Sequence, residues 1–315
     1  MESMTPGLPE HVIERTTLQR YFTGIWVIWL REAKRFWRDT PRRIGAFVQP
    51  LVYLFLLGTG MQAAFKVFGA GAETRYVVFM FPGIVGMTIL FTSVFSAISI
   101  LWDREFGFLK EVLVSPVPRT SVALGKIVGG ATTAVLQGLI FMLLMFVPSF
   151  FGFSFSTLGK MLLMLPVIIL LSIGMTAMGV AIAARMKSFE SFPIVMNFIL
   201  LPLFLLSGAF FPLQGLPGWM TVLTRINPLT YGVDALRGIA LQGIQVSSST
   251  SLLSRIPQSV LSQIPPQVKT IIRQSLPQVP KLQVQRYPLW LDIAVVTAFT
   301  LVMTAVAIWQ FNRQE

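Results

Sequence analysis

Residues 102–119 read Trp-Asp-Arg-Glu-Phe-Gly-Phe-Leu-Lys-Glu-Val-Leu-Val-Ser-Pro-Val-Pro-Arg. This charged, amphipathic island separates two long apolar segments, and that contrast decides the fold class. Asp103, Arg104, Glu105, Lys110 and Glu111 alternate in sign, while Phe106, Leu109, Val112 and Leu113 recur at helical spacing and share a face. Ser115-Pro116-Val117-Pro118 ends the helix, because proline lacks the amide hydrogen and restricts the residue before it. The pattern alone leaves two readings open. One is a short helix docking a soluble partner; the other is an ordinary loop on lipid head groups.

Working outward, apolar runs lie on both sides. Six are near the roughly 20 residues that a hydrocarbon core requires: 44–65, 76–100, 121–147, 161–184, 192–211 and 290–311. The composition agrees. Of 315 residues 54% are hydrophobic and 12% charged, about half the charge of a soluble globule, and the mean hydropathy is +0.71. The predicted fold class is therefore an all-α integral membrane protein with six transmembrane helices. It carries an N-terminal interfacial helix and short re-entrant helices before the last span.

Before the first span, 21–38 form an amphipathic piece too short in its apolar run to cross. Phe22, Trp26, Trp29, Ala33 and Phe36 step by three or four, and Arg31, Lys34, Arg35 and Arg38 occupy its C-terminal half. Tryptophans with arginines suit a helix lying in the cytoplasmic interface. The alternative, a tilted span, is made costly by Arg31 and Lys34. Lysine and arginine crowd 15–43, the 102–119 loop and its flank at Lys126, and the 185–187 turn, but are sparse in the alternate short loops. That asymmetry predicts cytoplasmic termini and a cytoplasmic 102–119 loop. The first twenty residues contain Glu2, Glu10 and Glu14 and no apolar core, so insertion is expected to use internal spans.

The expected organisation is a cytoplasmic tail and interfacial helix (1–43), then spans one to five with the loop (44–211). External re-entrant helices (212–243) and a Pro/Gln/Ser-rich extracytoplasmic insertion (244–288) follow, and the sixth span with a short tail (289–315) ends the chain. Pro212, Gly215, Pro217 and Gly218 interrupt the apolar 212–243 stretch. Asn227 is placed to cap a helix with Pro228 at its first position. Asp234 and Arg237 sit three apart and can pair, with Arg225 as another partner. They read either as a gating contact or as a surface ion pair worth about 0–1 kcal/mol. Asp292, opening the sixth span, is expected to face the outer head groups. The 244–288 insertion reads as a small cap of short helices or as a disordered insertion.

Several chemistries are excluded. The chain has no cysteine and one histidine, His11, which removes thiolate nucleophiles, zinc-binding HExxH sites and histidine-based triads. Neither Gly125-Lys126 nor Gly159-Lys160 belongs to a phosphate loop, so no nucleotide site is expected. The net charge of +12 reads as topology and anionic lipid, not nucleic acid. No metal ligands and no catalytic residues are assigned. Within the spans Gln49, Gln137 and Asn197 are polar positions for helix packing or for a substrate pathway, and Gly125-xxx-Gly129 is a close-packing motif.

Two stretches carry a family resemblance. Phe106–Pro116, followed by Arg119 and Leu124-Gly125-Lys126, resembles the signature loop of type-2 ABC exporter permeases, in the branch named for daunorubicin resistance and nodulation-factor export. Asn227-Pro228-Leu229-Thr230-Tyr231-Gly232-Val233-Asp234-Ala235-Leu236-Arg237 is similar to the segment before the last span of that family. The resemblance implies the permease subunit of an ATP-driven exporter in a bacterial plasma (inner) membrane. It implies a homodimer, or a heterodimer with a similar permease, and ABC ATPase subunits that bind ATP and Mg; this chain binds no cofactor. The loop residues Glu105, Phe106, Leu109, Lys110, Glu111, Leu113, Pro116, Pro118 and Arg119 would couple to the ATPase. Asn227, Pro228, Tyr231, Asp234 and Arg237 would belong to external gate helices. The scarcity of charge in the spans suits an amphipathic or hydrophobic cargo such as a drug, lipid, glycolipid or lipid-linked glycan. The alternatives are a membrane-embedded lipid-modifying enzyme and a non-transporting scaffold.

Overall fold

A computed structural model describes residues 17–67, 76–107, 117–147, 152, 154–242 and 285–313. Among them every regular element is a helix. Helix α1 is Thr17–Arg38; α2, Thr40–Val52, passes through a π-helical turn, Tyr53–Leu57, into α3, Gly58–Val67. Then come α4 (Tyr76–Ser96), α5 (Ile98–Glu105) and α6 (Arg119–Met142). Helices α7 (Phe155–Arg185), α8 (Ser191–Leu205), α9 (Gly218–Ile226), α10 (Pro228–Ala240) and α11 (Leu289–Asn312) complete the series.

Among the described residues five helical runs are long and apolar enough to cross a membrane: Arg43–Ala63, Tyr76–Glu105, Arg119–Phe146, Phe155–Arg185 and Leu289–Asn312. The expected fifth span is shorter than its sequence suggests. Helix α8 has 15 residues, about 22 Å of helix against a hydrocarbon thickness of roughly 30 Å. The chain turns after Leu205 because Gly208 adopts a left-handed φ of +77°, a conformation that glycine enters without penalty. It then runs against α4 at Gly83, where a Cβ would lie 2.5 Å from the Ala209 Cα. Tyr76 donates its hydroxyl to the Phe210 carbonyl and holds the turn there. A long apolar run is thus divided between a short helix and a turn packed on its neighbour.

Helix α4 is the centre of the bundle: it packs against α6, α7, α8 and α10, while α7 runs along α11 and α1 along α6. In α4, 83% of the apolar window is buried, against 17% for the first span, so the first span is peripheral within this chain. Its π-helical turn follows Pro50. Proline inside a helix leaves the carbonyl four residues earlier without its usual donor. That carbonyl belongs to Ala46, and it accepts from Gln137 Nε2 on α6. Gln137 Oε1 in turn accepts from the Thr92 hydroxyl at 2.6 Å. Gln137 thus ties α6 to α2 and α4.

The Gly125-xxx-Gly129 motif works between α6 and α1, not between two spans. A Cβ at Gly125 would lie 2.7 Å from the Ile28 Cβ, and one at Gly129 2.7 Å from the Glu32 Cβ. Gly24 on α1 answers with equally close contacts to Val117 and Ser121. Helix α1 is therefore held at backbone distance from α6, with Phe22 and Trp26 exposed. Trp29 donates from Nε1 to the Thr132 hydroxyl at 3.0 Å and packs on Trp26, ring centroids 4.6 Å apart.

Candidate functional site: the foot of the 102–119 loop

At the end of the bundle where the loop leaves, three helices bring charges together. Lys126, seven residues into α6, is 4% exposed; Asp103, in the last turn of α5, is 7% exposed, and Glu32 on α1 is 8% exposed. Close packing at Gly125 and Gly129 places Glu32 beside Lys126. The ammonium donates to Glu32 Oε1 at 2.5 Å, to the Ser99 hydroxyl at 3.0 Å and to Asp103 Oδ2. Arg31 pairs with Asp103 and, at 3.3 Å, with Glu32. Arg35 stands 3.8 Å from Asp103, its guanidinium 5.3 Å over the Trp102 ring. Burial pushes the Glu32 carboxyl up, but Lys126, Arg31 and Arg35 outweigh it and hold the group below its usual range.

A second tie holds the same foot from the other side. Arg104 donates to the Met186 carbonyl at 2.5 Å and to that of Ala184 at 3.2 Å, carbonyls at the C-terminal end of α7 that lack helical donors. Trp102 packs edge-on against Phe189, 5.0 Å between centroids, and contacts Phe106 at 5.4 Å. Asp103 and Arg104, adjacent in sequence, thus lock α5 to α1 and α6 on one side and to α7 on the other.

The loop itself is only partly described. Helix α5 ends at Glu105, and Gly107 with φ +77° turns the chain out of the helical path. Phe106 stands at the helix end with 73% of its surface exposed. On the far side Pro118 starts α6, its carbonyl accepting from the Ser121 amide and hydroxyl. Arg119 reaches the Asn312 carbonyl at 3.4 Å. Leu109, Lys110, Glu111, Leu113 and Pro116 lie outside the described residues.

At the opposite end of the bundle the polar residues are more deeply built in than expected. Asn227 caps α10 as predicted, its Oδ1 accepting from the Leu229 amide at 3.0 Å. Its Nδ2 also donates to the Leu203 carbonyl at 2.6 Å, so one side chain joins the start of α10 to the end of α8. Tyr231 donates to the Arg225 carbonyl at 2.8 Å and stacks on Tyr287. The expected surface pair of Asp234 and Arg237 is not formed. Both are buried, and each turns to backbone. Asp234 accepts from the amides of Arg286 and Tyr287 at 2.9 and 2.8 Å. Arg237 donates to the Gly208 carbonyl at 2.7 Å and lies 4.0 Å over the Phe79 ring. The pair separates because the chain before α11 and the turn after α8 both fold over α10 and supply the polar partners. The same covering corrects Asp292, which is fully buried with Gln285 at 3.5 Å and does not face head groups. Residue 243 and residues 244–284 of the insertion lie outside the described residues.

Gln49 and Asn197 are both exposed and line one cleft of about 410 Å³ between the first span, α4 and α8, with Phe36, Phe91 and Phe95. Sequence reasoning missed Glu32 and Ser99 and treated Lys126 as a loop-flanking cation. A signal was present: Lys126 lies inside an apolar segment, where an ionisable group needs a named partner.

The helical bundle with several apolar runs long enough to cross a bilayer is that of a multi-span membrane protein. Residues 23–241 match the ABC-2 type transporter family, and the chain belongs to it. It is 30% identical over 210 residues to the ycf38 transport permease of Cyanophora paradoxa, covering 65% of this chain and 71% of the relative. It is 29% identical over 205 residues to nodulation protein J of Rhizobium meliloti, covering 63% and 73%. With the inner membrane transport permease YadH of Escherichia coli K12 it shares 26% over 226 residues, covering 69% and 82%.

Proposed function

We propose that the chain is the permease subunit of an ATP-driven exporter, with the 102–119 loop as its contact to a separate ABC ATPase. The buried Lys126–Asp103–Glu32 cluster is the observation that carries this reading. A transporter driven by another subunit needs a stiff lever, and the cluster joins interfacial helix, loop foot and third span into one unit. Exposed Phe106, with Leu109 and Leu113, supplies apolar anchors of the kind that dominate interface energies. Glu105, Lys110 and Glu111 would set orientation at the rim.

The lysine and arginine asymmetry puts both termini and the loop in the cytoplasm of a bacterial inner membrane. In that orientation α8, extended by its turn, is a fifth crossing, and α9 and α10 form a re-entrant outer portion. Two copies, or this chain and a similar permease, would enclose the substrate path, and the cleft at Gln49 and Asn197 opens towards it. The phenylalanines and scarce charge there suit an amphipathic or hydrophobic cargo: a drug, lipid, glycolipid or lipid-linked glycan. ATP and Mg would be bound by the ATPase.

Co-purification tests the loop. Phe106→Ala with Leu109→Ala should lose the ATPase, by about thirtyfold in affinity per anchor for about 2 kcal/mol each, while the protein still inserts. Intact association and export in that variant would make the loop an ordinary membrane-surface turn.

A further inference from the structure

The loop end of the bundle holds a second concave site that the coupling reading does not use. Helices α7 and α11 run parallel and end together there, beside the foot of α5. Between their ends lies a cavity of about 780 Å³ lined by Arg104, Arg185, Lys187, Arg313, Trp309 and Gln310. Four cations face one volume, and no carboxylate lines it among the described residues. Arg104 is fixed by its two backbone carbonyls. Arg313 is held 4.1 Å over the indole of Trp309. None of the four pairs with a carboxylate among the described residues, in contrast to Lys126 and Arg31.

A preference for basic residues at one membrane face explains cations in these segments. It does not explain their convergence on one hollow with an aromatic wall. Trp309 is half exposed one turn before the end of a span, the level at which indoles mark the head-group layer. Leu301 and Val302, further along the same helix, are exposed apolar side chains suited to acyl chains below it. A cationic hollow beside an indole, on a helix that exposes apolar side chains two turns earlier, is the complement of an anionic amphiphile.

We infer that this cavity is a seat for the phosphate head group of an anionic phospholipid in the leaflet at the loop end. The lipid would bridge the ends of α7 and α11 and neutralise cations that otherwise repel one another. The inference goes beyond the transport reading and needs only that the spans cross a bilayer.

The test uses the full chain in detergent, with phosphatidylglycerol or phosphatidylcholine added and retained lipid counted by native mass spectrometry. Phosphatidylglycerol should be retained in preference to phosphatidylcholine. Arg185→Gln, Lys187→Gln and Arg313→Gln should each weaken it by about five-fold, the equivalent of ~1 kcal/mol per cation. Arg313→Lys should restore most of the loss, and Lys160→Gln, elsewhere on the chain, should change nothing. The melting temperature of the lipid-free variants should match the native chain, which separates lost binding from lost folding. Equal retention of the two lipids, or native retention in the triple glutamine variant, would overturn the inference. Displacement of phosphatidylglycerol by millimolar inorganic phosphate would reduce the site to a small-anion pocket and also overturn it. Loss of ATPase association with lipid retention unchanged would assign the cations to protein docking instead.

Discussion

Lys126 is one ammonium shared by two carboxylates and a hydroxyl, all of them buried. Removing one partner from such a cluster leaves an uncompensated charge, whereas removing all of them together is far milder. Lys126→Met should therefore cost about 3–5 kcal/mol, seen as a large fall in melting temperature. Glu32→Gln, Asp103→Asn and Lys126→Met combined should recover much of it; a triple variant no more stable than the single one would refute the cluster. Its pH dependence has a definite sign. Glu32 is held below its usual carboxylate value of about 4.3 in the folded chain, so the unfolded chain binds the proton first. Its contribution is complete above that value and disappears as pH falls through the lower folded value. Melting temperature should be level from pH 7 to about 5 and decline below, less steeply in Glu32→Gln.

At the scale of elements, the contact of α1 with α6 decides whether the loop foot is rigid. Backbones approach there because Gly125 and Gly129 carry no Cβ to strike Ile28 and Glu32. Gly129→Leu should force α1 away, break the Lys126–Glu32 contact and loosen the foot of the loop without preventing insertion. A cross-link between cysteines placed at Ile25 and Val122 should form in the cysteine-free parent and fail in Gly129→Leu; equal cross-linking would show that α1 tolerates the larger side chain. The glycine motif itself was legible from its spacing. Its partner was not, because a small-residue stripe marks a close approach without naming what approaches. Asn227 shows the same division: its cap to α10 is local and readable, while its bond to Leu203 joins helices twenty-four residues apart.

For the whole molecule, orientation is the open quantity that a simple labelling experiment fixes. The basic residues predict that 102–119 and both termini share the cytoplasmic side. Arg104, Arg185 and Arg313 do converge at one end of the bundle, which ties the second–third loop, the fourth–fifth turn and the C-terminus to a single face. Cysteine scanning is clean in a chain that has none. A cysteine at Ser249 should react with an impermeant reagent from outside intact cells; labelling from the cytoplasmic side alone would invert the topology.

The sequence by itself determined the helical membrane class, the amphipathic first helix, five of the apolar helical runs and the helix start at Asn227. These depend on composition, on period along one segment and on local capping, all of which act within a few residues. The 102–119 motif also carried the family, since its order of residues is specific. Only the tertiary structure decided where the polar side chains spend their hydrogen bonds. Gln137 serves the carbonyl freed by Pro50, Asp234 and Arg237 abandon each other for backbone, and Lys126 leaves the loop flank to join Glu32. It likewise shortened the fifth span, because the turn at Gly208 is stabilised by packing on Gly83 of a helix more than a hundred residues earlier. In an apolar medium each buried polar group must find a partner, and that partner is chosen by which helices meet, a property no single segment encodes.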